Sequence, residues 1–518
     1  MSVKAKNPIL PGFYPDPSIL AVGEDYYIVN SSFAYFPGLP IWHSRDLKNW
    51  EQIGNAMDRN SQLPLGDDDI SRGLFAPTIR YNKGTYYIIC TNVSFGGNFI
   101  ITAENPAGPW SEPHYIEGAE GIDPSLFFDE DGKCYYTGTH PNPKGCQYDG
   151  DWYIYTQEID IENFKLVGEP VDVWNGAMRG VHWPEGPHLY KVGEYYYILH
   201  AEGGTGPNHA ISVARSKNVF GPFENNFNNP IFTHRHLGMR FPIQYVGHGD
   251  LIQAANGDWY MVMLATRPLS GRTTMGRETF LARVYWEEGW PIVNPGIGML
   301  TDEVPVNLEE SVPDCEESIR PRNDRHFDFT VMKELPFTCV TIRNPEEDMY
   351  RFDEGGLALK CGKKLSFVGI RQDSHIFDAV TVIRTKGLYE GATAGLMLYQ
   401  SDKFQVRVEF SGIHATAIMR KNGVDEKLAT IRVVVDNLTI MFSVKGLALS
   451  IFIGEGNQVV PLVKEMSVGF LSTEVAGGFV GCTIGMFATQ AEEENASDEE
   501  IYATFKSFSY RPADNENN

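Results

Sequence analysis

One phrase recurs five times within the first part of this chain: a small polar or acidic cluster, followed by a pair of aromatic residues. The clusters are Asp16-Pro17-Ser18, Ala76-Pro77-Thr78, Asp123-Pro124-Ser125, Glu185-Gly186-Pro187 and His248-Gly249-Asp250. The aromatic pairs are Tyr26-Tyr27, Tyr86-Tyr87, Tyr135-Tyr136, Tyr195-Tyr196 and Trp259-Tyr260. Successive pairs begin 49 to 64 residues apart, which is the length of a propeller blade. The repeat therefore predicts blades arranged around a common axis.

Each repeat has the composition of a short β-meander. The aromatic pairs lie in runs such as YYIVNSS, TYYIICTN and WYMVMLA, and β-branched and aromatic residues of this kind favour strands. Turns rich in Gly, Asn and Pro separate the runs. A ring of four-stranded blades protects most strand edges, and its innermost strands line the channel. We expect the polar clusters on those innermost strands.

A second pattern takes over after the repeats end. Residues 301–324 are acidic, contain proline and lack apolar periodicity, as a linker does. From Phe327 onward, segments such as DAVTVIRTK and FQVRVEFSG alternate apolar and polar residues, which predicts a two-sheet β-sandwich. The chain is thus predicted to be all-β, with a propeller over 1–305, a linker over 306–325 and a sandwich over 326–518.

Charge and cysteine usage limit the partners and the location. The formal net charge of −24 disfavours nucleic acid and anionic membrane surfaces, because both bind through Lys and Arg. No apolar run is long enough for a membrane helix, and the N-terminal segment lacks a signal-peptide pattern. The seven cysteines are scattered without a C-x-x-C pair, which predicts free buried thiols and a cytoplasmic location. A homo-oligomer is left open.

Three of the clusters carry a carboxylate, which suits hydrolysis of a glycosidic bond. That reaction needs a protonated carboxyl group for the leaving oxygen and an ionised carboxylate for water or the sugar. Glu185 follows Trp183-Pro184, and an apolar wall favours the neutral form of a carboxyl group. We therefore predict Glu185 as general acid, Asp16 as general base and Asp123 as the group that modulates their pKa values. A single Asp-Pro-Ser can also be an ordinary turn.

The segments FYPDPSI, GIDPSLFFD and HWPEGPHLYK resemble the three acidic motifs of glycoside hydrolase family 43. The resemblance extends over the whole chain. It implies a five-bladed propeller followed by a β-sandwich of the jelly-roll, concanavalin-like type, and an enzyme that inverts anomeric configuration. It assigns the same roles to Asp16, Asp123 and Glu185. Family members include β-xylosidases and α-L-arabinofuranosidases.

The resemblance also implies several residues around the sugar. Arg277, in TTMGRETF, matches an arginine beside the substrate, although it could instead pair with Glu278 at the surface. Phe33 and Phe75 match aromatic positions of the pocket, where core packing is the alternative. Phe75 stands where related xylosidases often have tryptophan.

Two further residues are predicted with the family in view. His248 matches a histidine that some members use for a calcium ion. Because calcium prefers oxygen ligands, His248 would hold it mostly through waters, and a metal-free hydrogen-bonded histidine is the alternative. Phe479, in GGFVG, is the candidate aromatic of the sandwich that closes the pocket, and a closed pocket implies an exo enzyme.

The predicted function is release of a terminal β-D-xylose, α-L-arabinofuranose or both from xylo-oligosaccharides or arabinoxylan fragments. A retaining five-bladed fructosidase is one alternative, but it would have Arg-Asp-Pro and Glu-Cys where this chain has Ile122-Asp123-Pro124 and Glu185-Gly186. The other alternative is a non-catalytic carbohydrate-binding propeller, which would not need three acids around one axis.

Overall fold

The computed structural model describes residues 3–309, 324–389, 391–490 and 500–513, and their regular structure is almost entirely β. The chain forms two compact units. The first consists of Met1–Asp68, Arg72–Pro268 and Arg277–Arg320, and the second of Asp69–Ser71, Leu269–Gly276 and Pro321–Asn518. Two short segments within the sequence range of the repeats therefore belong to the second unit.

The first unit is a five-bladed propeller in which every blade is a four-stranded antiparallel sheet. From the inside outward, blade 1 contains Ser18–Val22, Asp25–Val29, Gly38–Ser44 and Glu51–Met57, and blade 2 contains Leu74–Asn82, Thr85–Asn92, Gly97–Ala103 and His114–Tyr115. Blade 3 contains Ser125–Phe128, Cys134–Pro141, Trp152–Asp160 and Lys165–Trp174. Blade 4 contains Glu185–Val192, Tyr195–Glu202, Ala210–Ser216 and Glu224–Asn225, and blade 5 contains Gln244–Gln253, Trp259–Thr266, Glu278–Glu287 and Trp290–Val293. The innermost strands contact one another in cyclic order, including the fifth with the first, so the ring is closed.

The aromatic pairs hold neighbouring blades together. Successive side chains of a strand point to opposite faces, so one ring of a pair packs on the preceding blade and the other on the next. In blade 3, Tyr136 joins the core shared with Ile89 and Ile100 of blade 2, whereas Tyr135 joins the core shared with Leu189 and Ile198 of blade 4. This two-sided packing explains why the aromatic pair recurs with the blade.

The segments directly before blade 1 and after blade 5 pair with each other, in addition to the contact between these two blades. Val3–Lys6 pairs antiparallel with Glu303–Val306. The Asn7 side-chain amide donates to the backbone oxygens of Leu281 and Thr301, at 2.9 Å each. The remaining short elements of this unit are the strand Tyr35–Phe36 and the 3-10 turn Arg235–Leu237.

The second unit is a sandwich of two antiparallel sheets. Along its main path the larger sheet contains Tyr350–Asp353, Gly356–Lys360, Tyr502–Pro512, Ile376–Arg384, Asn437–Lys445, Ala448–Glu455 and Gln458–Ser467, and Arg325–Asp328 also pairs with Tyr502–Pro512. The smaller sheet contains Ser366–Arg371, Thr483–Gln490, Ala392–Ser401, Phe404–Ser411, His414–Lys421 and Val424–Arg432. The short elements are the strand Thr341–Ile342, the 3-10 turn Gly469–Leu471 and the one-turn helix Thr473–Ala476. Alternate residues of both sheets, such as Leu396, Val408, Phe442 and Ile451, meet in one apolar core.

The predicted fold class is confirmed: the chain is all-β, with a propeller followed by a sandwich. The predicted domain limits remain predictions, and residues 310–323 of the predicted linker lie outside the described residues. The six cysteines that the structure describes are free thiols; Cys146 is exposed and the other five are buried. Within the described ranges, no helix has both the length and the apolar character needed to cross a membrane.

Candidate active site

In each blade, one residue that lies in the innermost strand or two positions before it adopts a left-handed backbone conformation. These residues are Asp16 (φ +51°), Ala76 (+38°), Asp123 (+56°), Gly186 (+57°) and His248 (+48°). The residues two positions later occupy equivalent places in the strand pairing, namely Ser18, Thr78, Ser125, His188 and Asp250. This conformation costs a non-glycine residue about 1–3 kcal/mol, and such strain is concentrated at functional sites.

This equivalence corrects the repeat position predicted for Glu185. When the clusters are aligned by their first residues, Glu185 is expected to be equivalent to Asp16 and Asp123, but the structure makes Gly186 the equivalent residue. Glu185 lies one residue earlier, where blade 2 has Phe75. The strand pairing is irregular just after both residues, and a bulge redirects side chains. Glu185 thereby still interacts electrostatically with Asp123 and Asp16.

Asp16 is a buried carboxylate held by two donors. The Ser31 hydroxyl donates to its Oδ2 at 2.6 Å and the Arg277 guanidinium to its Oδ1 at 2.8 Å. Burial alone would raise the pKa of Asp16, but the charges of Arg277 and His248 and the hydrogen bond from Ser31 outweigh it, so the pKa is lowered. Asp16 is therefore ionised at neutral pH.

The pKa values of the other two carboxyl groups, those of Glu185 and Asp123, are raised. Burial raises the pKa of Glu185 well above its ordinary value, and the negative charges of Asp123 and Asp16 raise it further, against the effect of Arg277. Burial and the charge of Asp16 also raise the pKa of Asp123, although His248 and the backbone N–H of Gly186 oppose them. Glu185 accepts no hydrogen bond from any residue within the described part of the chain, so its carboxyl group is free to meet a ligand.

Arg277 belongs to this cluster and not to a surface pair. Besides Asp16, its guanidinium contacts the Thr205 hydroxyl at 3.2 Å. Glu278, the alternative partner, is fully buried and accepts two hydrogen bonds from Arg267, at 2.7 and 2.8 Å. The fixed geometry of a guanidinium suits a role in orienting a carboxylate.

Phe33 and Phe75 form an aromatic pair beside the same arginine. Their rings meet edge to face with centroids 5.4 Å apart, and the Arg277 guanidinium carbon lies 5.8 Å from the centroid of Phe33. Phe33 is buried and Phe75 is partly exposed. Phe479 lies in the second unit, where its backbone N–H donates to the Ser71 hydroxyl at 3.0 Å. Its contribution to the pocket stays a prediction.

Sequence reasoning missed three polar residues of the site. Ser31 bridges blades 1 and 2, since its hydroxyl donates to Asp16 and accepts the backbone N–H of Ala76 at 2.7 Å. Thr205 contacts Arg277, and the buried His209 interacts electrostatically with Asp16. None of them belongs to a recognisable sequence motif. Each lies between the second and third strands of its blade. The one available signal was the NSS tripeptide that follows the first aromatic pair.

Asp250, the acid of the fifth cluster, has a structural role. It accepts hydrogen bonds from the Ser18 hydroxyl at 2.7 Å, from Arg80 at 3.0 Å and from the Tyr190 hydroxyl. These contacts connect four blades across the axis. Burial alone would raise the pKa of Asp250, but the charge of Arg80 and the hydrogen bonds from Arg80 and Tyr190 outweigh it, so the pKa is lowered. Removing one partner of such a buried pair typically costs about 3–5 kcal/mol.

A cavity of about 340 Å³ opens on the other side of this network. Residues of all five blades line it, among them Ala21, Tyr81, Phe128, Lys191 and Gln253. These residues lie several positions along the innermost strands from the carboxylates, and none of Asp16, Asp123 and Glu185 lines the cavity. The cavity is therefore separate from the carboxylate site.

Comparison with known families shows to which enzyme family the chain with this site belongs. Residues 5–291 match the family described as glycosyl hydrolases family 43. The chain belongs to glycoside hydrolase family 43. Residues 326–511 match the β-xylosidase C-terminal concanavalin A-like domain, so family-43 character extends to the sandwich. This membership makes the chain a glycoside hydrolase and decides against the fructosidase and the non-catalytic propeller.

Similar proteins cover nearly the whole family-43 chain. A xylosidase/arabinosidase of Butyrivibrio fibrisolvens is 48% identical over 509 residues, which are 94% of this chain and 96% of that protein. A non-reducing end α-L-arabinofuranosidase of Bacteroides ovatus is 35% identical over 98% of this chain and 95% of that protein. The crystal structure of a xylan β-1,4-xylosidase from Bacillus halodurans superposes with a TM-score of 0.89 at 31% identity, covering 98% of this chain and 100% of that one.

The surroundings of His248 offer few ligands for the predicted calcium ion. His248 is buried, and a Cβ built on Gly186 would lie 2.8 Å from its ring. Among the residues that the structure describes, no group of three or more His, Cys, Asp or Glu side chains is arranged to hold a metal ion. Asp250, two residues on, is engaged by Ser18, Arg80 and Tyr190. This donor set does not fit an ion bound directly by the protein, and calcium held through waters stays a prediction.

Proposed function

We propose that this family-43 enzyme hydrolyses glycosides with Asp16 as general base, Glu185 as general acid and Asp123 as the modulator of their pKa values. The observation that carries the assignment is the opposite shift of two neighbouring carboxyl groups. The pKa of Asp16 is lowered whereas that of Glu185 is raised. Carboxyl groups whose environments separate their pKa values in this way are suited to act as base and acid.

The proposed reaction is a single displacement at the anomeric carbon. The Asp16 carboxylate takes a proton from water as the water oxygen forms a bond to the anomeric carbon. The bond between that carbon and the leaving oxygen breaks on the opposite face, and Glu185 gives its proton to that oxygen. The products are a sugar of inverted configuration and an alcohol, after which the proton on Asp16 is returned to Glu185 through solvent.

Asp123 and Arg277 support this exchange without donating or accepting the transferred protons. Asp123 accepts the Gly186 backbone N–H at 3.1 Å, so it fixes the residue directly after the acid. Its negative charge also raises the pKa of Glu185. Arg277 orients Asp16 and, beside Phe33, lies where it can donate to sugar hydroxyls.

The substrate class follows from the relatives. Xylosidase/arabinosidase and non-reducing end α-L-arabinofuranosidase are the names of two of them. We propose that this chain removes a terminal β-D-xylose or α-L-arabinofuranose from short xylo-oligosaccharides or arabinoxylan fragments. Both pentoses can present similar hydroxyl patterns to one pocket, and a single contact shifts the choice between them by about 1–3 kcal/mol.

Product analysis tests the proposed function. Xylobiose and an arabinose-substituted xylo-oligosaccharide are each incubated with the enzyme, and proton NMR records the first anomer formed. The expected first product is free xylose or arabinose of inverted configuration, before mutarotation. Retained configuration would contradict the single displacement, and release of oligosaccharides from internal positions would contradict an exo mode. A comparison of kcat/KM on the two substrates then gives the preferred sugar.

The Arg277→Ala variant is expected to shift the kcat/KM–pH profile to higher pH. Arg277 lowers the pKa of Asp16, and it also lowers those of Asp123 and Glu185. Its removal therefore raises all three, so the acidic limb, where Asp16 must be ionised, moves upward. Loss of its hydrogen bonds should also lower kcat/KM by about 10- to 100-fold.

Arg283→Ala is the matched control for this profile. Arg283 lies on the blade 5 strand that begins directly after Arg277, but it binds Asp258 at 3.3 Å, away from the carboxylate site. We expect its profile to match that of the wild type. An acidic limb that stays in place or moves to lower pH in Arg277→Ala would contradict the role given to this arginine.

The cytoplasmic location and a homo-oligomeric state stay predictions. The free thiols of the described cysteines support a reducing compartment. Sedimentation of the purified chain measures its oligomeric state directly.

A further inference from the structure

The segment that leads into Glu185 is supported by the neighbouring strand of its own blade. This segment, residues 175–184, is called the acid loop here; it connects Lys165–Trp174 of blade 3 to Glu185–Val192 of blade 4. Because the acid loop leads directly into Glu185, the contacts that fix the loop also fix the position of the carboxyl group. A misplacement of about 1 Å can reduce a rate by about 10²-fold.

A buried carboxylate, Glu202, lies against the acid loop. Its side chain has an exposure of 0%, and its Oε2 accepts the backbone N–H of Ala177 at 2.9 Å. The same oxygen lies 3.2 Å from Nε2 of His200, which is also fully buried. Glu202 has no access to substrate, so it is not a catalytic residue.

The loop is folded closely over this carboxylate. A Cβ built on Gly176 would lie 3.6 Å from the Glu202 Oε2 and 3.6 Å from Cγ of Pro184. Pro184 is the residue directly before Glu185. Gly176 thus lies close both to the Glu202 carboxylate and to the residue that precedes the acid.

The loop has two further backbone anchors next to the acid. The Gly203 N–H donates to the His182 oxygen at 2.8 Å, and the Trp183 N–H donates to the Gly150 oxygen at 2.7 Å. At the other end of the loop, the ring of Trp174 meets the ring of His200 with centroids 6.3 Å apart. Within the loop, the backbone N–H of Ala177 is held by the side chain of Glu202.

Strand pairing gives Glu202 a fixed relation to the acid. Glu185 is paired with Ala201, which lies between His200 and Glu202. One short stretch of strand therefore contacts Trp174, directly before the acid loop, through His200. It contacts the loop at Ala177 through Glu202, and Glu185, directly after the loop, through Ala201. Both side chains are buried, so this arrangement is set before any substrate binds.

We propose that Glu202, held by His200, is a positioning residue that fixes the acid loop and thereby aims the Glu185 carboxyl group at the leaving oxygen. The proposal rests on the function proposed above, because it takes Glu185 to be the general acid. A buried carboxylate contributes little net stability compared with an apolar side chain. Its specific contribution here is the acceptor that it presents to the Ala177 N–H.

The test is the dependence of the Glu202→Ala variant on the leaving group. Hydrolysis of xylobiose needs a well-placed acid because the leaving sugar is a poor leaving group, whereas 2,4-dinitrophenyl xyloside needs little protonation. We expect kcat on xylobiose to fall by about 10- to 100-fold and kcat on the dinitrophenyl substrate to stay close to the wild-type value. Equal losses on both substrates, or no loss on xylobiose, would overturn the proposal.

Two conservative variants keep the test decisive if Glu202→Ala does not fold. Glu202→Gln retains an oxygen for the Ala177 N–H, so we expect it to retain most activity on xylobiose. Glu202→Asp keeps the charge but is one methylene shorter, so we expect the selective loss. If Glu202→Asp were more active on xylobiose than Glu202→Gln, the charge of the side chain would matter and not the reach of its acceptor. That result would overturn the proposal.

Asp129→Ala is the matched control. Asp129 is a buried carboxylate that accepts hydrogen bonds from Lys191 at 3.0 Å and Tyr196 at 2.6 Å, but it lies on the hairpin of blade 3 away from the acid loop. We expect no leaving-group selectivity from its removal. If Glu185→Gln itself shows no leaving-group dependence, the proposed function fails; if Glu185→Gln shows it and Glu202→Ala does not, only the positioning role fails.

Discussion

Asp16→Asn is expected to lower kcat/KM by about 10²- to 10⁴-fold on every substrate, whatever its leaving group. Asparagine keeps the shape of the side chain and can still accept the Ser31 hydroxyl, but it cannot take a proton from water. The loss lies in the activation of water, a step that good and poor leaving groups share. The measurement is kcat/KM on xylobiose and on 2,4-dinitrophenyl xyloside at several pH values.

The pH dependence provides a second sign of the same role. The pKa of Asp16 is lowered, so the base stays ionised as pH falls below neutrality, and the wild type should lose activity only when pH falls through that lowered pKa. In Asp16→Asn this limb should be absent from the residual activity. A loss confined to xylobiose would contradict the role of base, because it would indicate the acid instead.

Asp25→Asn is the control for Asp16. Asp25 lies on blade 1 and its pKa is also lowered, chiefly by hydrogen bonds from His43 and Arg45 that outweigh burial. It is on the second strand of the blade, at the end away from the carboxylate site. Its replacement should leave the ratio of the two kcat/KM values unchanged.

The propeller could be predicted from the sequence because its repeat follows from how the blades pack against one another. A ring of blades must bury both faces of each blade, and a pair of adjacent aromatic side chains on one strand does this for two neighbours at once. The pair Tyr135-Tyr136, with cores on either side, shows the principle. The same reasoning brought Asp16 and Asp123 to one end of the ring, since residues at one repeat position share one level.

The position of Glu185 could not be predicted to the residue. Strand irregularities near Glu185 and near Phe75 insert an extra position that leaves no mark in composition or spacing. Gly186 is equivalent to Asp16 and Asp123 in its left-handed conformation and in the strand pairing of the residue two positions later, and neither property is readable from the sequence.

Contacts between loops could not be predicted from the sequence for a similar reason. Ser31, Thr205 and His209 are ordinary polar residues whose partners lie far away along the chain, such as Arg277 for Thr205. Their positions depend on how blades 1, 4 and 5 are arranged around the axis. The assignment of Leu269–Gly276 to the second unit likewise depends on folding at long range and not on local pattern.

Glu185→Gln is expected to lower kcat on xylobiose much more than on 2,4-dinitrophenyl xyloside, whereas Asp16→Asn affects both substrates alike. Without a proton donor, kcat on xylobiose should fall by about 10²- to 10⁴-fold, because the leaving sugar must depart as an alkoxide. On 2,4-dinitrophenyl xyloside the loss should be much smaller, since the leaving phenolate is stable without a proton. The control is Glu194→Gln, which removes an exposed carboxylate of the same blade that pairs with Lys217.

The alkaline limb of the pH profile should disappear in the same variant. Burial and the charges of Asp123 and Asp16 raise the pKa of Glu185, so in the wild type the acid keeps its proton through neutral pH. Activity is then lost only as pH rises through that raised value. Glutamine cannot titrate, so the residual activity of Glu185→Gln should stay level where the wild type declines. An alkaline limb that persists would assign the acid to another group, and the proposed pair of Asp16 and Glu185 would then be wrong.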